Sequence, residues 1–347
     1  MRNLNRRTFI ARGLGFAAAA GAGAAALGLG ARPARAAGEP VVLKLAHPDT
    51  PIHPSQAIAT RIAQLVEQRT GGSVKIRVFA GGQLGSEVNI VSGLTTGIVD
   101  LAMHTTGFLE SFFPRIQAID LPFLFKDEET YAKAMKGPIG KWLFQKLESR
   151  GISGLAYWDN GFHMTSANRP LLMPADFQGL KVRISGSKIA DRYFRDVGSI
   201  PQIMAFSEVY QALQTGVVDG CENTASNYLT QKFFEVQKDI TVSYHAHLQY
   251  AVIVNSKFWN GLPADVRSQL EKAMDEATDY TNSIAVQENE DALAEIKKTG
   301  KTTLHYLTDD QKKAWQEAMR PTYAWAKGRV GQEVLDLIAK ELDVKMN

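Results

Sequence analysis

The chain of 347 residues has a single cysteine, Cys221. No internal disulfide can form, so the fold must rest on its core. At this length, with 45% hydrophobic residues, it can do so, and the length suggests two lobes rather than one. After the N-terminal segment no run is long and apolar enough to span a bilayer. There is no Gly-x-Ser-x-Gly elbow, which removes the commonest sequence mark of an α/β-hydrolase. His245-Ala-His247 would share one face of a strand, but no Glu or Cys stands at ligand spacing beside it, so the sequence offers no zinc set. Cys221 reads as a small buried residue after a strand rather than as a nucleophile. No cofactor motif survives inspection, because the Gly13–Gly15 and Gly21–Gly23 spacings have no strand before them.

Residues 1–36 contain no acid and six arginines: Arg2, Arg6, Arg7, Arg12, Arg32 and Arg35. Arg6-Arg7-Thr8-Phe9-Ile10 precedes an Ala/Gly-rich run, and Ala34-Arg35-Ala36 is a small-x-small cleavage site. This predicts a signal peptide of twin-arginine type over 1–36, and export to the periplasm. The whole chain has 39 basic and 36 acidic residues, for +3; without the six arginines, 33 basic residues face 36 acids, for −3. The basic character belongs to the precursor, so nothing argues for nucleic acid as a partner.

What remains contains an internal echo. Lys75-Ile-Arg-Val78 recurs as Lys181-Val-Arg-Ile184, and Leu94-Thr-Thr-Gly-Ile-Val-Asp100 recurs as Leu213-Gln-Thr-Gly-Val-Val-Asp219. In each case a strand leads to an amphipathic helix whose end is closed by a glycine, Gly97 or Gly216, suited to the left-handed position after a helix. Two echoes in the same order predict two α/β lobes of like construction, each with a parallel sheet under helices. The expected strands are Val41–Ala46, Val74–Phe79, Ile98–Met103 and Ile152–Trp158, then Lys181–Ile184, Gln202–Ala205 and Val217–Cys221, with Ala251–Asn255 returning to the first lobe. Pro263 and Gly300 bracket one helix of ~54 Å. Its stripe of Val266, Leu270, Ala273, Ala277, Tyr280 and Ile284 predicts a spine across both lobes. Lobe I is expected over 37–166 plus 249–288, and lobe II over 167–248 plus 289–347, with two closing helices, Asp309–Gly328 and Gln332–Leu342, on lobe II.

The stretch from Arg169 to Asn223 carries the chemistry. Lys181–Ile184 alternates polar and apolar residues and reads as a half-buried strand, broken by Gly186 and Ser187 before a helix begins. An arginine held at the carboxyl end of a strand beside a helix N-terminus suits a carboxylate, since the guanidinium fork gives two parallel charge-assisted bonds.

Gly179-Leu-Lys-Val-Arg183, the run from Met204 to Asn223 and Gln231–Gln237 resemble the extracytoplasmic receptors of tripartite ATP-independent periplasmic (TRAP) transporters, the DctP family, over essentially the whole mature chain. Within it, Gly154–Phe162, Tyr250–Trp259 and Gly261–Arg267 are most similar to C4-dicarboxylate receptors. The resemblance implies a two-lobe periplasmic binding protein (type II-like) with a long connecting helix. It also implies a non-enzymatic, soluble receptor, expected to be a monomer, that hands a small organic acid anion to a membrane permease. By the same resemblance Arg183 pins a ligand carboxylate, with Asn223 its amide partner, Arg169 a second basic position and Phe206 a cleft aromatic. A second carboxylate would need a second cation, for which His47 and Arg169 are the candidates. Gln83 and Thr105 are expected to face the cleft from the first lobe. That lobe departs more from the C4-acid pattern, which leaves a sugar acid, 2-oxo acid or aromatic acid open; an exported hydrolase is the reading from another class.

Overall fold

The computed structural model describes residues 40–346; the expected signal peptide lies outside them. The strands are β1 (Val41–Ala46), β2 (Val74–Phe79), β3 (Leu101–Thr105), β4 (Ile152–Phe162), β5 (Met164–Ala167), β6 (Lys181–Ile184), β7 (Ile200–Ile203), β8 (Gly220–Asn223), β9 (Asp239–Val242), β10 (His247–Asn255) and β11 (Thr303–Tyr306). The α-helices are α1 (Pro54–Arg69), α2 (Glu87–Thr96), α3 (Glu128–Lys136), α4 (Pro138–Glu148), α5 (Lys188–Asp196), α6 (Val209–Thr215), α7 (Ala225–Thr230), α8 (Ser256–Asn260), α9 (Ala264–Thr299), α10 (Asp309–Met319), α11 (Pro321–Val330) and α12 (Gln332–Leu342).

The strands sort into two sheets, in the orders β2-β1-β3-β10-β4 and β11-β9-β5-β8-β6-β7. The sheets are mixed, not parallel as the sequence suggests. β10 runs antiparallel to both β3 and β4, and β5 runs antiparallel to β8 and β9. The reason is topological. A chain that leaves one sheet for the other and later returns enters at the far end of the strands, which reverses its direction. β4 passes into β5 at His163, and β9 passes back into β10 through Ser243–Ala246; there His163 N–H donates to the Ala246 carbonyl at 2.8 Å.

The echoed glycines close their helices as expected. Gly97 and Gly216 have φ of +78° and +74° in the left-handed region. The strands after them start later than predicted, at Leu101 and Gly220, because the capping turn uses the intervening residues. Exposure of Ile98 and Val217 follows from that turn. Gly220 meets a different demand. A Cβ built there would stand 2.0 Å from the Ser166 carbonyl oxygen of β5. Gly220→Ala is therefore expected to destabilise the protein by about 1–3 kcal/mol through overpacking. Urea unfolding would measure it, and an unchanged midpoint would contradict the tight β5–β8 approach.

α9 spans Ala264–Thr299, with Pro263 as N-cap and Gly300 as C-cap. It packs on α1 and β4 at one end and on α7 at the other, so it touches the layers of both sheets. Leu270, Ala273 and Ala277 of the predicted stripe are buried, but beyond them the seam departs from it: it runs through Thr281, Ala285, Ala292 and Ile296, while Tyr280 is exposed. The seam continues in small residues, which a search for large apolar side chains overlooks. Of the closing helices, the first region, split at Pro321 into α10 and α11, reaches the second-lobe helix α5 as expected, and only α12 is placed differently. α10 packs on α5, α11 lies between α5 and Pro114–Asp120, and α12 packs on α4 and α3. Leu335 and Ile338 of α12 join Leu143 and Leu147 of α4 in one apolar cluster. α12 thus covers first-sheet elements rather than the second lobe.

Candidate functional site

One cavity gathers residues that follow the carboxyl ends of strands in both sheets: Pro48 and Asp49 after β1, Thr105 at the end of β3, Arg183 and Ser185 around the end of β6, and Asn223 at the end of β8. Strand ends collect such sites because loops there can vary without disturbing the sheet. The cavity and its mouth hold about 380 Å³ of space free of protein atoms.

Arg183 is only 3% exposed. Its Nε and Nη2 donate to the Met204 carbonyl at 3.2 and 2.8 Å, which fixes the plane of the guanidinium. Nη1 has no hydrogen-bond partner among the described residues. The Phe206 ring lies beneath it, 5.8 Å from Cζ to the centroid. Burial draws the guanidinium pKa below its ordinary value, against the pull of Cys221, Glu87 and Glu222. Asn223 Oδ1 accepts from Thr224 N–H at 3.0 Å and from Asn227 Nδ2 at 2.5 Å, which leaves the Asn223 Nδ2 donors free. Ser187 caps α5 by accepting from Ala190 N–H, so the helix N-terminus stands beside this charge.

The cavity also holds acids. Glu222 is 2% exposed. Its Oε2 accepts from Tyr193 Oη at 2.6 Å, from His163 Nδ1 at 3.1 Å and from His245 Nε2 at 3.3 Å. Burial alone would raise this carboxyl, but the two histidines outweigh it and hold it well below the usual carboxylate range. Glu87, in the first turn of α2, accepts the Phe206 backbone N–H at 3.0 Å. Asp49 accepts from Ser55 Oγ and Tyr250 Oη. Behind His163 and Glu222 lies a contiguous polar chamber with Asp120, whose carboxyl burial pushes up to about 7.

Contacts run across the groove between the two sheets' layers. Besides Glu87 with Phe206, Gln231 Nε2 donates to Thr50 Oγ1 at 3.1 Å. The Phe108 ring lies so near the backbone of Gly186 that a Cβ there would meet it at 2.8 Å.

Of the residues singled out from the sequence, Arg183, Asn223, Phe206 and Thr105 line the cavity. Arg169, His47 and Gln83 do not. Arg169 is exposed, and its Nη2 turns back to the Asp176 carbonyl at 2.7 Å, closing the turn that precedes β6. His47 is fully buried, with Nε2 on Gln56 Oε1 at 2.9 Å, so it faces α1 and leaves Asp49 to enter the cavity. Gln83 sits exposed on the turn after β2. The imidazole that shares the cavity with Arg183 is instead that of His163. His245 and His247 do not act together: His245 faces Glu222, whereas His247 faces Glu128 and Asp159. All three carboxylate partners come from distant sequence, which spacing alone could not show. Glu222 had a local signal, an acid inside the buried strand Gly-Cys-Glu-Asn. His163 had one too, directly after Asn160-Gly-Phe162.

A family model described as bacterial extracellular solute-binding protein, family 7 (DctP) matches residues 45–328. The chain belongs to this family of solute-binding receptors. It is 48% identical over 301 residues to a C4-dicarboxylate-binding periplasmic protein, DctP, of Rhodobacter capsulatus, covering 86% of this chain and 90% of that one. Among solved structures, a TRAP periplasmic solute-binding protein of Shewanella oneidensis with bound succinate is similar, with a TM-score of 0.84 and 34% identity, over 87% of this chain and 99% of the other. A sugar acid binding protein of Advenella mimigardefordensis in complex with galactonate gives a TM-score of 0.85 at 27% identity, over 88% of this chain and 98% of the other. The fold is thus the two-lobe α/β fold of these receptors, and the chain is a binding protein, not an enzyme. Among the described residues no helix is long and apolar enough to cross a membrane.

Proposed function

We propose that this receptor captures a C4-dicarboxylate such as malate, succinate or fumarate in the periplasm and delivers it to a TRAP membrane permease. The observation that carries this reading is the buried Arg183, oriented by the Met204 carbonyl, with Nη1 unengaged beside the free amide donors of Asn223. A carboxylate taken out of water is costly unless it is paired, and this fork supplies the pairing. Asn223 donates to the same group, and Phe206 holds the fork from below. His163 is the candidate contact for the second carboxylate. The name of the Rhodobacter capsulatus relative and the succinate in the Shewanella oneidensis structure support the ligand class. The galactonate-bound neighbour keeps a sugar acid as the second reading.

On this reading the lobes, 37–166 with 249–288 and α12, and 167–248 with 289–330, close on the ligand about the crossings at His163 and Ser243–Ala246 and along α9. The Glu87–Phe206 and Gln231–Thr50 bonds form only on closure, so ligand shifts the population toward the closed form. Calorimetry with malate, succinate and fumarate tests the role of Arg183. Arg183→Lys keeps the charge but loses the fork, and affinity is expected to fall about tenfold or more. Unchanged affinity would reject the assignment.

A further inference from the structure

Three buried polar atoms of cavity-lining residues have no hydrogen-bond partner among the described residues: Glu222 Oε1, Asn227 Oδ1 and Thr105 Oγ1. Two of them are fixed acceptors. Glu222 cannot turn its free oxygen inward, because Oε2 already holds Tyr193, His163 and His245, and the carboxyl is held ionised. Asn227 cannot exchange its amide ends, because Nδ2 donates to Asn223 Oδ1 and a flip would set two carbonyl oxygens face to face. The wall therefore presents donors, on Arg183 and Asn223, and immovable acceptors close by.

Succinate and fumarate answer only half of that wall. As dianions they carry acceptors and C–H groups, so they satisfy Arg183 and Asn223 and leave Glu222 Oε1 without a donor. A carboxylate beside an anion also repels it, so Glu222 weakens binding of every acid unless the ligand brings it a proton to share. A hydroxyl does so. Along β8, Asn223 and Cys221, the register partner of Arg183, share one face and Glu222 points to the other. All three of Arg183, Asn223 and Glu222 nevertheless line the one cavity, so the acceptor is offered to a hydroxyl that stands to the side of the carboxylate held by Arg183 and Asn223.

We propose that Glu222 Oε1 accepts the hydroxyl proton of a hydroxy acid, so that Glu222 is a specificity-determining residue favouring malate-type ligands over succinate. The proposal rests on the acid-receptor reading above. Glu222 owes its fixed orientation to residues of three segments: Tyr193 on α5, His163 between β4 and β5, and His245 between β9 and β10.

Calorimetry of the mature protein with L-malate, D-malate, succinate and 2-fluorosuccinate tests it. One malate enantiomer is expected to bind at least about tenfold tighter than succinate. 2-Fluorosuccinate fills similar space but has no proton to donate, and is expected to bind no better than succinate. In Glu222→Gln the malate-to-succinate ratio is expected to fall toward unity, with succinate binding held or improved by removal of the negative charge. Equal binding of malate and succinate by the unaltered protein would overturn the proposal and leave the receptor reading standing, as would 2-fluorosuccinate binding as tightly as malate. Should Glu222→Gln fail to fold, the fluorinated ligand still decides. If none of the acids binds, the receptor reading itself falls and takes the proposal with it.

Discussion

Arg183→Met is expected to weaken acid binding about a hundredfold or more while the protein still folds. The substitution keeps most of the side-chain volume above Phe206 and removes the charge. A ligand carboxylate enclosed beside Met would lose its hydration with nothing in return, and truncating one partner of a buried charge pair costs about 2–5 kcal/mol. Part of that cost is offset in the free protein, because Arg183 is itself desolvated and its pKa is drawn down by burial. The Met204 carbonyl loses both of its bonds from the guanidinium, so a modest fall in stability accompanies the loss of binding. Calorimetry measures the first effect and thermal unfolding the second. A variant that binds as well as the parent would remove Arg183 from the site.

A second large effect is expected from pH. His247 Nε2 lies 2.8 Å from Glu128 Oε2 and 3.2 Å from Asp159 Oδ1, and its ring stacks on Tyr131 with centroids 3.6 Å apart. Burial opposes the charge on this histidine, but Asp159 and Glu128 outweigh it and raise the pKa from 6.5 to about 9. The folded value lies above the unfolded one. The stabilisation is therefore fully present below pH 6.5 and is lost as pH rises through 9. Each pH unit that separates the folded from the unfolded value is worth about 1.4 kcal/mol, so the effect amounts to roughly 3 kcal/mol. The stability difference between the parent protein and His247→Gln, followed by urea unfolding, is expected to shrink between pH 6.5 and about 10. Should that variant not fold, Glu128→Gln reports in the same direction, with a smaller change. A difference that stays constant with pH would show that the imidazole is not charged in the folded protein.

How far the sequence can be read depends on which interactions are local. β1, β2 and β6 are bounded by alternation and apolar runs, and α9 by Pro263 and Gly300 at its ends, because each signal lies within the element it marks. β5, β9 and β11 leave no such signal. They have four residues each, and their pairing is decided by strands far away in the chain. The site divides in the same way. Arg183, Phe206 and Asn223 sit in one stretch of distinctive sequence. Glu87 and His163 come from elsewhere and meet them only after folding. Arg169 shows the opposite limit. Its place before Pro170 suggests a side chain aimed along an extended backbone, yet the nearby Asp176 carbonyl captures it. A local acceptor wins over a distant groove.

The path of the last helices bears on how the groove can open. α11 hydrogen-bonds backward in both directions, through Thr322 to Asp196 and through Tyr323 to the Pro122 carbonyl, and α12 then clasps α4. The tail therefore stitches together parts that the two sheets would otherwise hold separately. Motion that pulled them straight apart would have to tear this seam; a swivel about it would not. If the lobes close as proposed, the tail confines admission of a solute to a jaw-like rotation with a fixed rear edge, and the breadth of the entrance follows how far that edge can twist.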